Sequence, residues 1–216
     1  MRDEDGFANR IAQRALAKRE ADYAGEVRRL LDAGLDVMRG CGTDSRPRVA
    51  DIVAAAGLSN DAFYRHFRSK DALVAAILED GTERLTTYVA HQMGKESTPD
   101  GQVRRWVEGV LSQSARDTAA TTRAVLWNAG GLPADTTLGP ASATGRLGLL
   151  LHRPFSELGS PQAEFDAALA AHATVGLLVD HLGRGAQTGT ADVDRVVAFC
   201  LRVGGRSGAC AADFVT

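Results

Sequence analysis

Apolar residues recur at helical spacing through nearly the whole chain. Val27, Leu30, Leu31, Gly34, Leu35 and Met38 form one stripe, which predicts a first core helix over 22–38. Gly40, Cys41, Gly42 and Pro47 then break the pattern. Val49, Ile52, Val53 and Ala56 repeat the i, i+3, i+4, i+7 stripe over a short helix that ends at Gly57, a residue able to take the left-handed conformation of a helix terminus. Leu58 returns to the core, Ser59 is placed to cap a second short helix, and Phe63 and Phe67 anchor that helix from below. Ser69 caps a longer helix carrying Leu73, Val74, Ile77, Leu78, Leu85 and Val89, which Gly81 interrupts without ending. After a loop over 93–99 come a helix marked by Val103, Trp106, Val107, Val110 and Leu111, a shorter one over 121–127, and a flexible stretch to about residue 140. Leu147, Leu149, Leu150, Leu151 and Phe155 suggest one further helix, and two longer ones over 162–182 and 191–203 close the pattern. Residues 1 to about 20 are polar with weak periodicity and read as a mobile or partly helical arm. No alternating run is long enough to argue for a sheet, so the expected class is all-α.

The short helix after Gly57 has a second face. Asn60, Asp61, Tyr64, Arg65 and Arg68 lie opposite its phenylalanines, and they donate and accept hydrogen bonds. Two short helices hinged at a glycine, the second with such a face, describe a helix-turn-helix that sets its second helix in the DNA major groove. Ile52-Val53, then Ala56-Gly57-Leu58-Ser59, then Phe63-Tyr64-Arg65-His66-Phe67, then Ser69-Lys70 and Leu73 resembles the DNA-binding signature of the TetR family of transcriptional regulators. The resemblance runs ungapped from about Glu26 to Ile77, roughly a quarter of the chain. Three positions depart from the family pattern: Val53 stands where Ala is usual, Arg48 where Thr or Ser often caps the first helix, and Asp61 puts a carboxylate on the groove-facing side.

Composition narrows the class. The chain has 216 residues, of which 44% are hydrophobic, enough for a sizeable core. No apolar run approaches the ~20 residues of a membrane span, and the charged start lacks the apolar core of a signal peptide. Three scattered cysteines, Cys41, Cys200 and Cys210, suit a reducing cytoplasm. The net charge of −2 excludes a general polyanion binder, but Arg46, Arg48, Arg65, Arg68 and Lys70 cluster about the helix-turn-helix, as a site-specific DNA binder requires. There is no G-x-S-x-G elbow, no P-loop and no ligand-spaced histidine pair, so neither catalysis, a metal nor a cofactor is expected.

The organisation that follows is an N-terminal arm (1–21), a three-helix DNA-binding domain with helix-turn-helix (22–70), a larger helical ligand-binding and dimerisation domain (71–204) and a flexible tail (205–216). Expected DNA-binding residues are Arg48, Ser59, Asn60, Asp61, Tyr64, Arg65, His66 and Lys70. Tyr64 is similar to the family tyrosine that touches a backbone phosphate, and Lys70 beside Ser69 would clamp another at a helix N-terminus. His66 donates to a phosphate or fills the space between helices. Asp61 either pairs with Arg65 four residues on or accepts from a cytosine. The resemblance implies a homodimer, a double-stranded DNA operator and an unidentified small-molecule effector. Trp106, Leu126, Trp127, Phe155, Phe165 and His172 are the expected cavity residues, with ordinary core packing as the alternative. The function expected is a DNA-binding regulator, a repressor released by its effector. The alternatives are a helical small-molecule-binding protein or enzyme with a vestigial helix-turn-helix, and a regulator that recruits a protein partner instead of a ligand.

Overall fold

The computed structural model describes residues 4–132 and 140–205, and every regular element among them is a helix. In chain order these are α1 (Glu4–Cys41), α2 (Val49–Ala56), α3 (Asn60–His66), α4 (Lys70–Met93), α5 (Pro99–Leu111), a 3-10 turn (Ser112–Ser114), α6 (Arg116–Ala129), α7 (Pro140–Leu149), α8 (His152–Glu157), α9 (Ala163–Arg184) and α10 (Thr190–Val203). Residues 133–139 of the expected flexible stretch, and the expected tail from 206 with Cys210, lie outside the described residues.

The boundaries follow from local chemistry. Ser69 Oγ accepts from the Ala72 amide at 3.1 Å to start α4, and Thr98 Oγ1 accepts from Gly101 at 3.2 Å to start α5, whose first residue is Pro99. Gly185 closes α9 in the left-handed region.

Three elements differ from the sequence pattern, α6 by starting at Arg116 and not near Thr121. α1 begins at Glu4, not near Asp22, and residues 9–25 of it are exposed. That stretch has no apolar stripe because none of its side chains is buried. It is rich in Ala, Arg, Lys, Gln and Glu, which extend an existing helix at little cost. The single helix expected around Leu147–Phe155 is two, α7 and α8, with Leu150 and Leu151 between them. Pro154 has no amide hydrogen to bond back to Leu150, so one ladder cannot run through both. The Leu147 carbonyl instead accepts the Trp106 indole N–H at 2.9 Å.

Leu30, Met38, Ile52, Phe63, Leu73 and Ile77 pack as one core, which also takes in Ala124 and Ala129 of α6. Val89, Val103, Trp106, Leu151, Phe155, Ala171 and Cys200 belong to a second core. α4 contributes to both, and α6 packs against α1 and α4. The N-terminal helices are therefore seated on the body of the protein through a continuous apolar contact. No helix among the described residues is long and apolar enough to cross a membrane.

Candidate functional site

α2 ends at Gly57, whose φ of 63° and ψ of 37° put it in the left-handed region. The turn is closed by the Leu58 amide on the Val53 carbonyl at 2.9 Å. Ser59 then caps α3, its Oγ accepting from the Ala62 amide at 3.1 Å. Phe63 and Phe67 are buried with ring centroids 5.9 Å apart, so the inner side of α3 is fixed to the core. Asn60, Asp61, Tyr64, Arg65 and Arg68 face solvent, Tyr64 with 58% of its surface exposed. Its ring stands edge-on to Phe63 at 5.2 Å, which limits its freedom without covering its hydroxyl.

A second anchor holds the far end of α3. His66 Nε2 donates to Glu26 Oε2 at 2.7 Å, and Tyr23 packs edge-on to the same imidazole at 4.3 Å. The His66 side chain is only 1% exposed, and its Nδ1 is buried without a partner among the described residues. His66 thus fills the space between α1 and α3, and neither ring nitrogen is turned to solvent where a phosphate would lie. Arg65, 61% exposed at its side chain, also reaches Glu26, at 3.5 Å. The pairing expected with Asp61 is replaced by one across helices, and Asp61 itself is exposed. The hydrogen bond from His66, assisted by the charge of Arg65, holds the Glu26 carboxyl below its ordinary value against the opposing effect of burial. Nothing local in the sequence marks Glu26 or Tyr23, because the partner of each lies some forty positions on.

The remaining expected residues divide by position. Arg48 is the exposed N-cap of α2 and makes no side-chain cap, the consequence of its standing where Thr or Ser is usual. Ser59 spends its hydroxyl on the α3 cap. Lys70 opens α4 directly after the Ser69 cap, where unpaired amides point outward. Arg46 is turned elsewhere, with its guanidinium 5.7 Å from the centre of the Trp127 ring on α6.

Residues 30–77 match the family described as bacterial regulatory proteins, tetR family. That segment carries the TetR family's DNA-binding domain. The fold of the chain agrees. A tetR-family regulatory protein from Rhodococcus RHA1 superposes with a TM-score of 0.61 at 18% identity, over 83% of this chain and 97% of that one. The transcriptional regulator FadR from Bacillus subtilis in complex with stearoyl-CoA gives 0.56 at 15% identity, over 82% and 95%. A putative transcriptional regulator from Pseudomonas aeruginosa PAO1 gives 0.63 at 20% identity, over 82% and 87%. No curated protein matches the chain.

Behind the TetR-family DNA-binding helices lies a cavity of about 480 Å³, walled by α1, α4, α6, α7 and α9. Of the expected cavity residues, Leu126 lines it and the others do not. Trp106 and Phe155 are fully buried in the second core, where they fill space instead of enclosing it. Trp127 is beneath Arg46, and Phe165 and His172 lie on the exposed side of α9. The cavity is bounded mainly by aliphatic and hydroxyl side chains, among them Leu31, Leu35, Ile77, Thr121, Val125 and Leu178. A void forms where side chains are small or short, whereas the large aromatics Trp106 and Phe155 fill the packed core.

α9 also carries exposed apolar groups, Phe165 at 64% and Leu169 and Val179 at nearly half. Ala173 and Gly176 lie on the same outward side. Cys200 is buried under it on α10, and burial pushes its thiol up to about 11, so it is held as an unreactive thiol.

Proposed function

We propose that this TetR-family chain is a homodimeric transcriptional repressor, acting in the cytoplasm, that leaves a near-palindromic operator when a small molecule fills the cavity behind its DNA-binding helices. It acts as a regulator and not as an enzyme. The observation that carries the reading is α3, capped at Ser59, rooted by Phe63 and Phe67, tied to α1 through His66 and Glu26, with Asn60, Tyr64 and Arg65 outward. A short helix held at both ends presents a fixed set of donors and acceptors, which is what reading base edges demands. Tyr64 and Lys70 would bind phosphates and set the register, while Asn60 and Arg65 would read bases. Dimerisation is supported by the exposed apolar side of α9, which is costly to leave in water. A two-fold pair would set its recognition helices about 34–36 Å apart, or a multiple of that, on successive faces of the duplex.

A small-molecule effector accords with the Bacillus subtilis FadR structure, which contains stearoyl-CoA. The first experiment is selection of bound sequences from random DNA, followed by gel shifts on the sites recovered and on DNA flanking the gene. An enriched palindrome is the expected result, and absence of any enrichment would defeat the proposal. For the effector, affinity is measured with and without operator: release requires DNA and ligand to weaken one another by the same factor. Equal affinities would rule out induction.

A further inference from the structure

The first half of α1 is an exposed helix that runs on beyond the recognition helix. Residues 9–25 are exposed, whereas Leu30, Ala33 and Met38 further along the same helix are buried. The order of contacts along α1 fixes where the exposed part lies. Leu31 and Leu35 line the cavity, Glu26 and Tyr23 hold His66 of α3, and Glu26 also meets the exposed Arg65 of that helix. An unbroken helix keeps that order, so the residues before Tyr23 continue past α3 on the side away from the cavity. At 1.5 Å per residue, Lys18, Arg14 and Arg10 stand about 12, 18 and 24 Å along the axis from Glu26.

The side chains on that stretch are sorted by charge. Arg10, Arg14 and Lys18 recur at every fourth residue and so form one ridge on one side of the helix. Arg19 follows, and no acidic residue lies between Asp5 and Glu20. The whole chain has a net charge of −2, so four cations without an acid among them are a local excess. Arg14 and Lys18 have no carboxylate partner among the described residues. Like charges four residues apart repel and weaken a helix, a cost that a polyanion alongside would relieve. The large apolar side chains Ile11 and Leu16 are five positions apart and point to different sides. The stretch therefore lacks the continuous apolar face that would seat it in a lipid surface.

We propose that Arg10, Arg14 and Lys18 form a second DNA contact, a basic ridge that follows backbone phosphates outside the half-site met by α3 and lengthens the footprint. The inference rests on the reading of α3 as the recognition helix. The ridge binds by charge and carries no base preference. Its reach of about 24 Å corresponds to about seven base pairs at 3.4 Å each. The probe is a fluorescein-labelled duplex of random sequence, several helical turns long, titrated by anisotropy with the full chain between about 50 and 200 mM salt. Each phosphate neutralised contributes about 0.9 to the slope of log affinity against log salt. Arg10→Gln, Arg14→Gln and Lys18→Gln together should shallow that slope by about 2–3 units per protomer. Glutamine is a good helix former and the three side chains are exposed, so the fold should be kept, as circular dichroism would show. Lys18→Gln alone should remove about one unit, which decides the matter if the triple variant does not fold. Arg116→Gln, Arg123→Gln and Arg153→Gln remove the same charge from exposed positions on α6 and α8 and should leave the slope as in wild type. On a site selected from random DNA, the hydroxyl-radical footprint of wild type should exceed that of the ridge variant on each flank.

A folded ridge variant with the wild-type slope overturns the proposal. So does a slope lowered as much by the α6 and α8 control, which would make the effect one of net charge. Vesicles of phosphatidylserine and phosphatidylcholine supply a third arm. Binding to them that the ridge variant loses, with the DNA slope unchanged, would assign the ridge to a lipid surface instead. A wild-type chain that binds no duplex ends both readings. Otherwise the two fail separately. If Lys70→Ala shallows the slope and the ridge variant does not, the recognition helix stands and the ridge falls. If the ridge variant shallows the slope but no sequence is enriched from random DNA, the ridge stands and the operator falls.

Discussion

Individual side chains divide the work at the recognition helix. In the proposed complex Tyr64, exposed on α3, and Lys70, at the start of α4, would touch phosphates, which carry position and not sequence. Tyr64→Phe and Lys70→Ala should each weaken binding to all duplexes alike, and Lys70→Ala should shallow the salt dependence by about one unit of log–log slope. Titration by fluorescence anisotropy over a range of salt checks this; an unchanged slope would remove Lys70 from the interface. Glu26 has a different task, since it holds α3 to α1 through His66. Its carboxyl is held low in the folded chain, so the stability it lends is present above the ordinary carboxylate range and is lost as pH falls through the lowered value. Glu26→Gln should therefore flatten the acid limb of the stability profile while leaving its slope near neutrality unchanged, as denaturant melts at a series of pH values would show. An acid limb as steep as wild type would mean that the His66 bond is energetically idle. The outward position of Tyr64 was legible in the sequence because the motif fixes its face. The task of Glu26 was not, because periodicity says which side of α1 a residue lies on and nothing about which helix will arrive there.

The helices show the same division. α2, α3 and the start of α4 were legible to within a residue or two, because glycine, serine caps and an apolar stripe all agree there. The first half of α1 was not, since a helix that buries no side chain writes no stripe. The break between α7 and α8 was hidden in a run of leucines whose helical breakpoint depends on Pro154 and on the indole of Trp106. Two glycines illustrate how elements are fitted together. Gly57 has open space around it but a φ of 63°, so Gly57→Ala should cost about 1–2 kcal/mol through backbone strain alone. Gly57→Asn should recover much of that loss, asparagine being tolerant of the left-handed region. Gly109 has an ordinary helical backbone, but an added Cβ would lie 2.8 Å from Cγ2 of the fully buried Val89, where α4 and α5 cross. Valine has little rotamer freedom in a helix, so overpacking of about 1–3 kcal/mol should outweigh the helix propensity gained, and Gly109→Ala should be destabilising. Urea denaturation of the three variants checks both claims, and a Gly109→Ala protein more stable than wild type would show that the crossing has slack.

At the scale of the whole molecule, the proposed recognition of DNA by a two-fold pair would make the outer side of α9 as necessary as α3. Val179→Asp would place a carboxylate amid exposed apolar groups. Sedimentation should then report a monomer, and operator affinity should fall steeply, because one recognition helix per molecule forfeits the gain from binding two half-sites together. A Val179→Asp protein that stays dimeric would locate the interface elsewhere. The cavity is a property of the same scale. Its wall is drawn from residues as distant in sequence as Leu31 and Val179, and no window of the chain contains enough of it to be read.

α1 is one unbroken helix of 38 residues, and it serves both ends of this arrangement. Glu26 fastens the recognition helix, and Leu31, about 7.5 Å along the axis, forms part of the cavity wall. The consequence is a limit on modularity. Grafting another regulator's first three helices onto this body would, on the proposed reading, retarget the DNA and, in the same stroke, rebuild one side of the cavity. Chimeras joined after α3 should thus change which compounds they answer to, and a hybrid meant to keep its inducer would have to carry Leu31, Asp32 and Leu35 across with it.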